Sequence, residues 1–433
     1  MMKGFIFVTV LSLILFPLKG RSEIIAQTTS LSEQEIMLVN WVESQQVALL
    51  HDLETYVNIN TGTFNQDGIN KFRDMLEVEF KSLGFETSVQ PGGEVDLLTC
   101  KSRKMKFADH LLARRAGVDS LKVFLNGHLD TVFAKGDEFQ TITIEPDGRL
   151  KGPGVLDMKG GLVVLTYALK ALHHSGRLDD ANITIFLNTD EEIGSLGSRP
   201  FIEELALKHD VGLIFEGSRD HKLARHRKGL GQARIKVTGR ESHAGAAHQK
   251  GVSANLELAH KVLELEALTD YSKKTTVNVG TIRGGEKRNT RPGCAEAFVD
   301  LRFVNNNEGL ELQSRVEKIA LTRYTHYPDF PDLPKSEVWA ILHRPAKTIH
   351  PITDSLIAEA MGLSAVIGEP IIGTYFTGGG TDGSLTQAKG LPTVDSLGPN
   401  GDGAHSSREW TTTTSLMART KLAAVLIDRL IHQ

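Results

Sequence analysis

Asn182-Ile-Thr-Ile-Phe-Leu-Asn-Thr-Asp-Glu-Glu-Ile-Gly194 joins an apolar strand to a glycine turn through three consecutive acids. Adjacent carboxylates repel one another, and nothing in a strand-to-loop junction needs them. A bound cation is the strongest compensation. Along an extended backbone, neighbouring side chains point to opposite faces. Glu191 and Glu192 can therefore divide the labour, one binding a metal while the other stays free beside it. Taken alone, the segment also fits a solvated acidic turn.

The strand at 183–187 is one of a series. Segments 123–125 and 211–215 are further apolar strands, and 161–172 is an apolar helix. This alternation predicts an α/β fold with a mixed, mostly parallel sheet and helices on both faces. Residues 32–83 read as helical, with a break at 61–68. Near residue 231 the pattern changes. A strand at 233–237 precedes a helix at 252–265, strands at 276–282 and 295–304, a helix at 310–319 and a strand at 338–342. The order β-α-β-β-α-β predicts an inserted α+β ferredoxin-like domain over 232–343. It would interrupt a first domain made of 23–231 and 344–433, which closes with an amphipathic helix at 415–431.

A chain of 433 residues can bury the cores of two such domains. A net charge of -4 gives no argument for a nucleic-acid partner, and the basic run Lys101-Ser-Arg-Lys-Met-Lys106 reads as a solvated loop. Lys3 precedes an apolar stretch from Phe5 to Leu18, short for a membrane span and suited to a secretory segment. Residues 1–22 are expected to be a signal peptide, which predicts an exported protein, periplasmic or secreted, with no membrane contact after cleavage. Lys19 and Arg21 beside the cleavage point leave an uncleaved anchor as the alternative. The two cysteines, Cys100 and Cys294, fall in different predicted domains. Two unpaired thiols are expected, although export would permit a disulfide.

Four further segments carry chemistry. In Asn126-Gly-His-Leu-Asp-Thr131, His128 and Asp130 share a face, so Asp130 can orient a metal-binding imidazole. Asp157 stands in the glycine-rich turn Gly152-Pro-Gly-Val-Leu-Asp-Met-Lys-Gly-Gly161, Glu216 ends an apolar strand, and His405 lies in Gly403-Ala-His-Ser-Ser407. Singly, each also fits a cap or an ordinary loop residue. Together, His128, Asp157, Glu192 and Glu216 fall at strand ends or just before helices, where open α/β sheets place their ligands. With His405 they make two histidines and three carboxylates, a set that two divalent ions sharing one bridging carboxylate would use fully. Imidazole with carboxylate suits two Zn2+, and Co2+ or Mn2+ could also bind.

The combination of Gly-His-Leu-Asp-Thr, Asp-Met-Lys-Gly-Gly, Asp-Glu-Glu-Ile-Gly-Ser, Ser-His-Ala-Gly-Ala-Ala and Gly-Gly-Gly-Thr-Asp resembles the M20 family of co-catalytic zinc peptidases and amidohydrolases. Within it the pattern is most similar to glutamate carboxypeptidases of the carboxypeptidase G type. The resemblance implies that His128 and Glu216 hold one zinc, Glu192 and His405 the other, and that Asp157 bridges them, followed by a cis peptide bond. Asp130 would orient His128, and Glu191 would be the general base. His243, in Gly239-Arg-Glu-Ser-His-Ala-Gly245, would reach a partner's active site as an oxyanion donor, which implies a homodimer through 232–343. Arg302, Arg344 and Asn289 match positions that hold substrate carboxylates, and Gly378 would line the pocket. For Arg302, a pair with an acid such as Asp300 is the alternative. The implied activity is cleavage of an amide beside a free C-terminal carboxylate in a small peptide or N-acyl amino acid. Release of glutamate from N-acyl or folate-type substrates comes first, and a deacylase or dipeptidase of other side-chain preference second. A binding protein on this scaffold would be expected to lose Glu191 or a ligand, and every one is present.

Overall fold

The computed structural model describes residues 30–432 except 102, 118 and 119, so the expected signal peptide lies outside the described residues. Six strands form the central sheet, in the order Glu86–Gln90, His110–Arg115, Asn182–Asn188, Lys122–His128, Val211–Ile214 and Thr393–Val394. The last four are mutually parallel, and His110–Arg115 runs antiparallel to both its neighbours. The parallel strands are mostly apolar through their middles because both faces are covered, with polar residues gathered toward their ends. Leu125, Ile185 and Leu213 pack under the helices Lys159–His174 and Thr413–Ile431. Phe124 and Phe186 face the other way, onto Ile202 and Leu205 of helix Arg199–Ala206.

The second sheet has the order Thr276–Gly284, Cys294–Phe303, Gly229–Thr238 and Lys335–Arg344, with antiparallel pairing throughout. Every second residue (Ala233, Ile235 and Val237; Ala295, Ala297, Val299 and Leu301) is buried with Leu258, Leu265, Leu312 and Val316 of two helices. The period of two leaves the opposite face polar, with Gln232, Asp300 and Arg302 turned toward the central sheet. This is the ferredoxin-like arrangement.

The second domain holds a buried ion pair. Glu257 accepts hydrogen bonds from Lys261 at 2.9 Å and from the backbone N–H of Tyr324 and Thr325, tying helix Ala254–Glu266 to the segment after the next helix. Glu257→Ala would leave the Lys261 ammonium buried without its counter-charge, with the Thr322 carbonyl left to accept from it. It is expected to cost about 3–5 kcal/mol, read as a lower unfolding midpoint in a thermal melt.

The cysteines correct the expectation of free thiols: Cys100 and Cys294 are joined in a disulfide, with Cα atoms 5.8 Å apart. They do belong to different domains, Cys100 in a turn of the first and Cys294 at the start of a strand of the second, but that separation is bridged. A two-stranded ribbon, Glu94–Leu97 paired with Arg103–Lys106, leaves the edge of the central sheet and carries Cys100 to the second sheet. A short basic run in the sequence gives no sign of such reach. Among the described residues no helix is long and apolar enough to cross a membrane.

Candidate active site

The C-terminal ends of the parallel strands open into a cleft of about 930 Å3 between the two sheets. His128 is the last residue of its strand and is almost fully buried. Its Nδ1 lies 2.9 Å from the Asp130 carbonyl, which can only accept, so Nδ1 carries a proton. Its Nε2 lies 3.0 Å from Asp157 Oδ1 and 3.6 Å from Glu216 Oε1. Across the cleft, His405 Nε2 lies 3.1 Å from Asp157 Oδ2 and 3.0 Å from Glu192 Oε2. The two oxygens of Asp157 thus face different histidines, one in each half of the cluster.

Local structure holds these groups. The Asp157 turn is clamped by Glu409, whose buried carboxylate accepts from the N–H groups of Gly154, Leu156 and Asp157 at 2.8–3.1 Å. The Asp157–Met158 peptide bond is cis. His405 has φ of 62°, the left-handed region that disfavours a side chain, and such strain concentrates at functional sites.

The acid turn departs from the extended backbone expected for it. Glu191–Ile193 forms a single 3-10 turn closed by Gly194. The Asp130 carboxylate accepts from the N–H groups of both Glu191 and Glu192, at 3.2 and 3.3 Å, and so ties the turn to the His128 strand. Glu191 and Glu192 still diverge, because the tight turn rotates them apart: Glu192 meets His405, and Glu191 meets Arg344. Asp190 accepts from Gly197 and Ser198 N–H and so fixes the loop just before helix Arg199–Ala206.

The donor set fits divalent cations. With Nδ1 protonated, a neutral His128 presents a bare lone pair to two carboxylates. Burial, and then the charge of Asp157, raise the carboxyl of Glu192 well above its usual range and that of Glu216 to about 8. A buried oxygen of Glu192 has no hydrogen-bond partner. Ligand atoms of His128, Glu191 and Glu216, and of His128, Asp157 and Glu192, lie within 4.8 Å of one another. Cations between these groups remove both the repulsion and the orphaned atom.

The substrate-side residues divide. Arg344, 2% exposed, donates from Nη2 to both the side chain and the carbonyl of Glu191 and to Ser195 Oγ, while Nη1 is buried without a partner. Arg302 lines the cleft but is held bidentately by Asp300 at 2.7 and 2.9 Å, and it donates to the Gly378 carbonyl. His243 and Asn289 do not line this cleft; they lie together at the far end of the second sheet, where His243 pairs with Thr290 and Ala244 N–H donates to the Asn289 carbonyl. The His243 Nδ1 accepts from Gly245 and Ala246 N–H, so Nε2 is its exposed donor.

Four contributors were not singled out from the sequence: Glu409, Ser195, Asp382 and Arg227. Each acts through a partner more than a hundred residues away, as when Ser195 donates to Asp382, and such pairs leave no local spacing to read. Arg227 grips buried Asp395 with two hydrogen bonds at the cleft floor, and Lys347 stands 3.6 Å away. Burial alone would raise the Asp395 carboxyl, but Arg227 and Lys347 outweigh it and hold the group at about 2. A depressed carboxyl stabilises the fold above its ordinary value and stops doing so as pH falls toward the folded value. Asp395→Asn is therefore expected to cost about 3–5 kcal/mol at pH 7. That deficit should shrink between about pH 4 and pH 2, as read from denaturant unfolding of both proteins across pH.

The fold and this cluster define a class. Residues 124–429 match the model of peptidase family M20/M25/M40, and the chain belongs to that family as a metallohydrolase. The chain is 31% identical over 409 residues to carboxypeptidase G2 of Pseudomonas sp. (strain RS-16), covering 93% of this chain and 94% of that protein. It is 30% identical over 299 residues to the acetylornithine deacetylase of Proteus mirabilis (strain HI4320), covering 64% and 70%. The fold is shared with a tripeptidase from Staphylococcus aureus subsp. aureus mu50, with a TM-score of 0.68 and 20% identity over 90% of this chain and 99% of that one.

Proposed function

We propose that the protein is an exported di-zinc carboxypeptidase that cuts an amide next to a free C-terminal carboxylate, releasing glutamate from N-acyl or folate-type substrates. The observation that carries the reading is the Asp157 carboxylate, one oxygen toward His128 and the other toward His405, in a chain 31% identical to carboxypeptidase G2. His128 and Glu216 would hold one ion, Glu192 and His405 the other, and Asp157 both. When bound, two such ions supply Lewis acidity and lower the pKa of a shared water.

The chain's own residues do the rest. Glu191 takes the proton of the attacking water and returns it to the leaving nitrogen. Asp130 holds both the His128 ring and the backbone of the Glu191–Glu192 turn. Nη1 of Arg344 is buried without a partner while Nη2 holds Glu191, so it would take a substrate carboxylate in a more open cleft. Arg302 adds positive charge at the rim only if Asp300 yields it. Asn289 and the Nε2–H of His243 would serve a second copy of the chain, His243 as oxyanion donor. A homodimer is supported by the exposed Leu256 and Leu263 on one helix of the second domain and Ile282 on its open edge strand. Export is supported by the disulfide, which persists in oxidising compartments.

The second reading, a deacylase or dipeptidase, draws on the likeness to acetylornithine deacetylase. A hydrolysis screen of N-acyl amino acids, dipeptides and a folate separates the two. The first reading predicts turnover confined to substrates ending in free glutamate. Preference for N-acetyl basic amino acids or unsubstituted dipeptides would replace it with the second.

A further inference from the structure

The main chain joins the second domain to the central domain at one end only. The chain enters its sheet at Gly229 and leaves at Arg344, and these residues sit together, with Leu230 paired to Arg344. The strand Gly229–Thr238 runs ten residues away from this junction, and Cys294–Phe303 and Lys335–Arg344 run back toward it. Ten extended residues span about 30 Å. A domain joined this way can swing about its junction like a lid, and the far end moves most.

Cys294 is at that far end. It opens its strand opposite Thr238, and Gly293 before it accepts from Gly239 N–H. The same tip carries the short pairing of Ser242–His243 with Thr290–Arg291, so His243 stands a few residues from the disulfide on both chain segments. The partner cysteine comes from the ribbon of the central domain, and the contact does not rest on sulfur alone. Cys100 N–H donates to Glu296, a buried residue of the lid, and Lys101 pairs with Glu286 at 3.1 Å.

We propose that the Cys100–Cys294 disulfide is a positioning bond: it pins the free end of the lid to the central domain and so sets the height of the lid over the cleft and the place of His243. Cutting it turns a domain held at both ends into one hinged at its junction. The part concerning turnover rests on the hydrolase reading; the part concerning lid position does not.

The test uses the intact metal-loaded protein and tris(2-carboxyethyl)phosphine. The phosphine is oxidised to its oxide with oxygen taken from water, and the disulfide receives two electrons and two protons to give two thiols, counted by mass spectrometry. Two readouts are taken: hydrogen exchange of residues 239–253 and 286–296, and kcat and KM with the best substrate. Reduction is expected to speed exchange in both tip segments and leave metal content unchanged. It should lower kcat/KM about tenfold or more, and reoxidation should restore all values. Cys100→Ser/Cys294→Ser should match the reduced protein and ignore the phosphine. Unchanged tip exchange after complete reduction overturns the proposal, whether or not the variant folds. Faster tip exchange in a protein that hydrolyses none of the screened substrates would uphold the bond's role and remove the hydrolase reading instead. Faster exchange with unchanged kcat and KM would remove the claim that lid position governs turnover.

Discussion

Glu191→Gln is expected to keep its full complement of bound metal and lose about a thousandfold in kcat. The amide keeps the shape and the hydrogen bond to Arg344 but cannot take a proton. The variant separates Glu191 from its neighbour. Glu192 faces His405 and Asp157, so its loss should remove metal, whereas Glu191 faces Arg344. Metal analysis and single-turnover kinetics on one sample make the comparison. Substantial turnover in Glu191→Gln would sink its assignment as the base, and lost metal would make it a ligand.

Arg344→Ala is expected to be nearly as damaging, for two reasons that can be read separately. The guanidinium is buried and serves Glu191 and Ser195 through Nη2, with Asp382 at 3.4 Å. Removing it leaves the half-buried Glu191 and the buried Asp382 without their cation, which is expected to cost about 3–5 kcal/mol of folding stability, and freeing Glu191 from its place should lower kcat about a hundredfold or more. If Nη1 also holds the substrate carboxylate, KM should rise for free-acid substrates and hardly change for the matching amides. Arg344→Lys keeps the charge but loses the fork, and should restore part of kcat while leaving KM high. Equal losses on acid and amide substrates would confine Arg344 to holding Glu191.

How much of this was legible in the sequence depends on the range of each interaction. The parallel strands announced themselves because 123–125, 183–187 and 211–215 are almost wholly apolar runs, broken only by Thr184 and Gly212, and the period of two in 233–237 and 295–301 betrayed a sheet with one polar face. Four of the five clustered residues were legible because strand ends are marked by glycine and acid. His405 was the exception, standing in a small-residue loop with no periodic neighbour, and it gained meaning only when it completed the set of two histidines and three carboxylates. The 3-10 turn at Glu191 was not legible, because Asp130, sixty residues earlier, is what bends it. Glu409 was equally hidden: its partners are backbone N–H groups of a turn some 250 residues away. The disulfide was misjudged for a related reason. Sequence separation of 194 says nothing about a ribbon that crosses from one domain to another.

The central claim is that Asp157 lies between two metal ions. The most direct measurement is anomalous diffraction at the zinc absorption edge on crystals of the purified, undialysed protein. The account predicts two peaks flanking the Asp157 carboxylate, one beside His128 and Glu216 and the other beside His405 and Glu192. A single peak, or metal held away from Asp157, would contradict it.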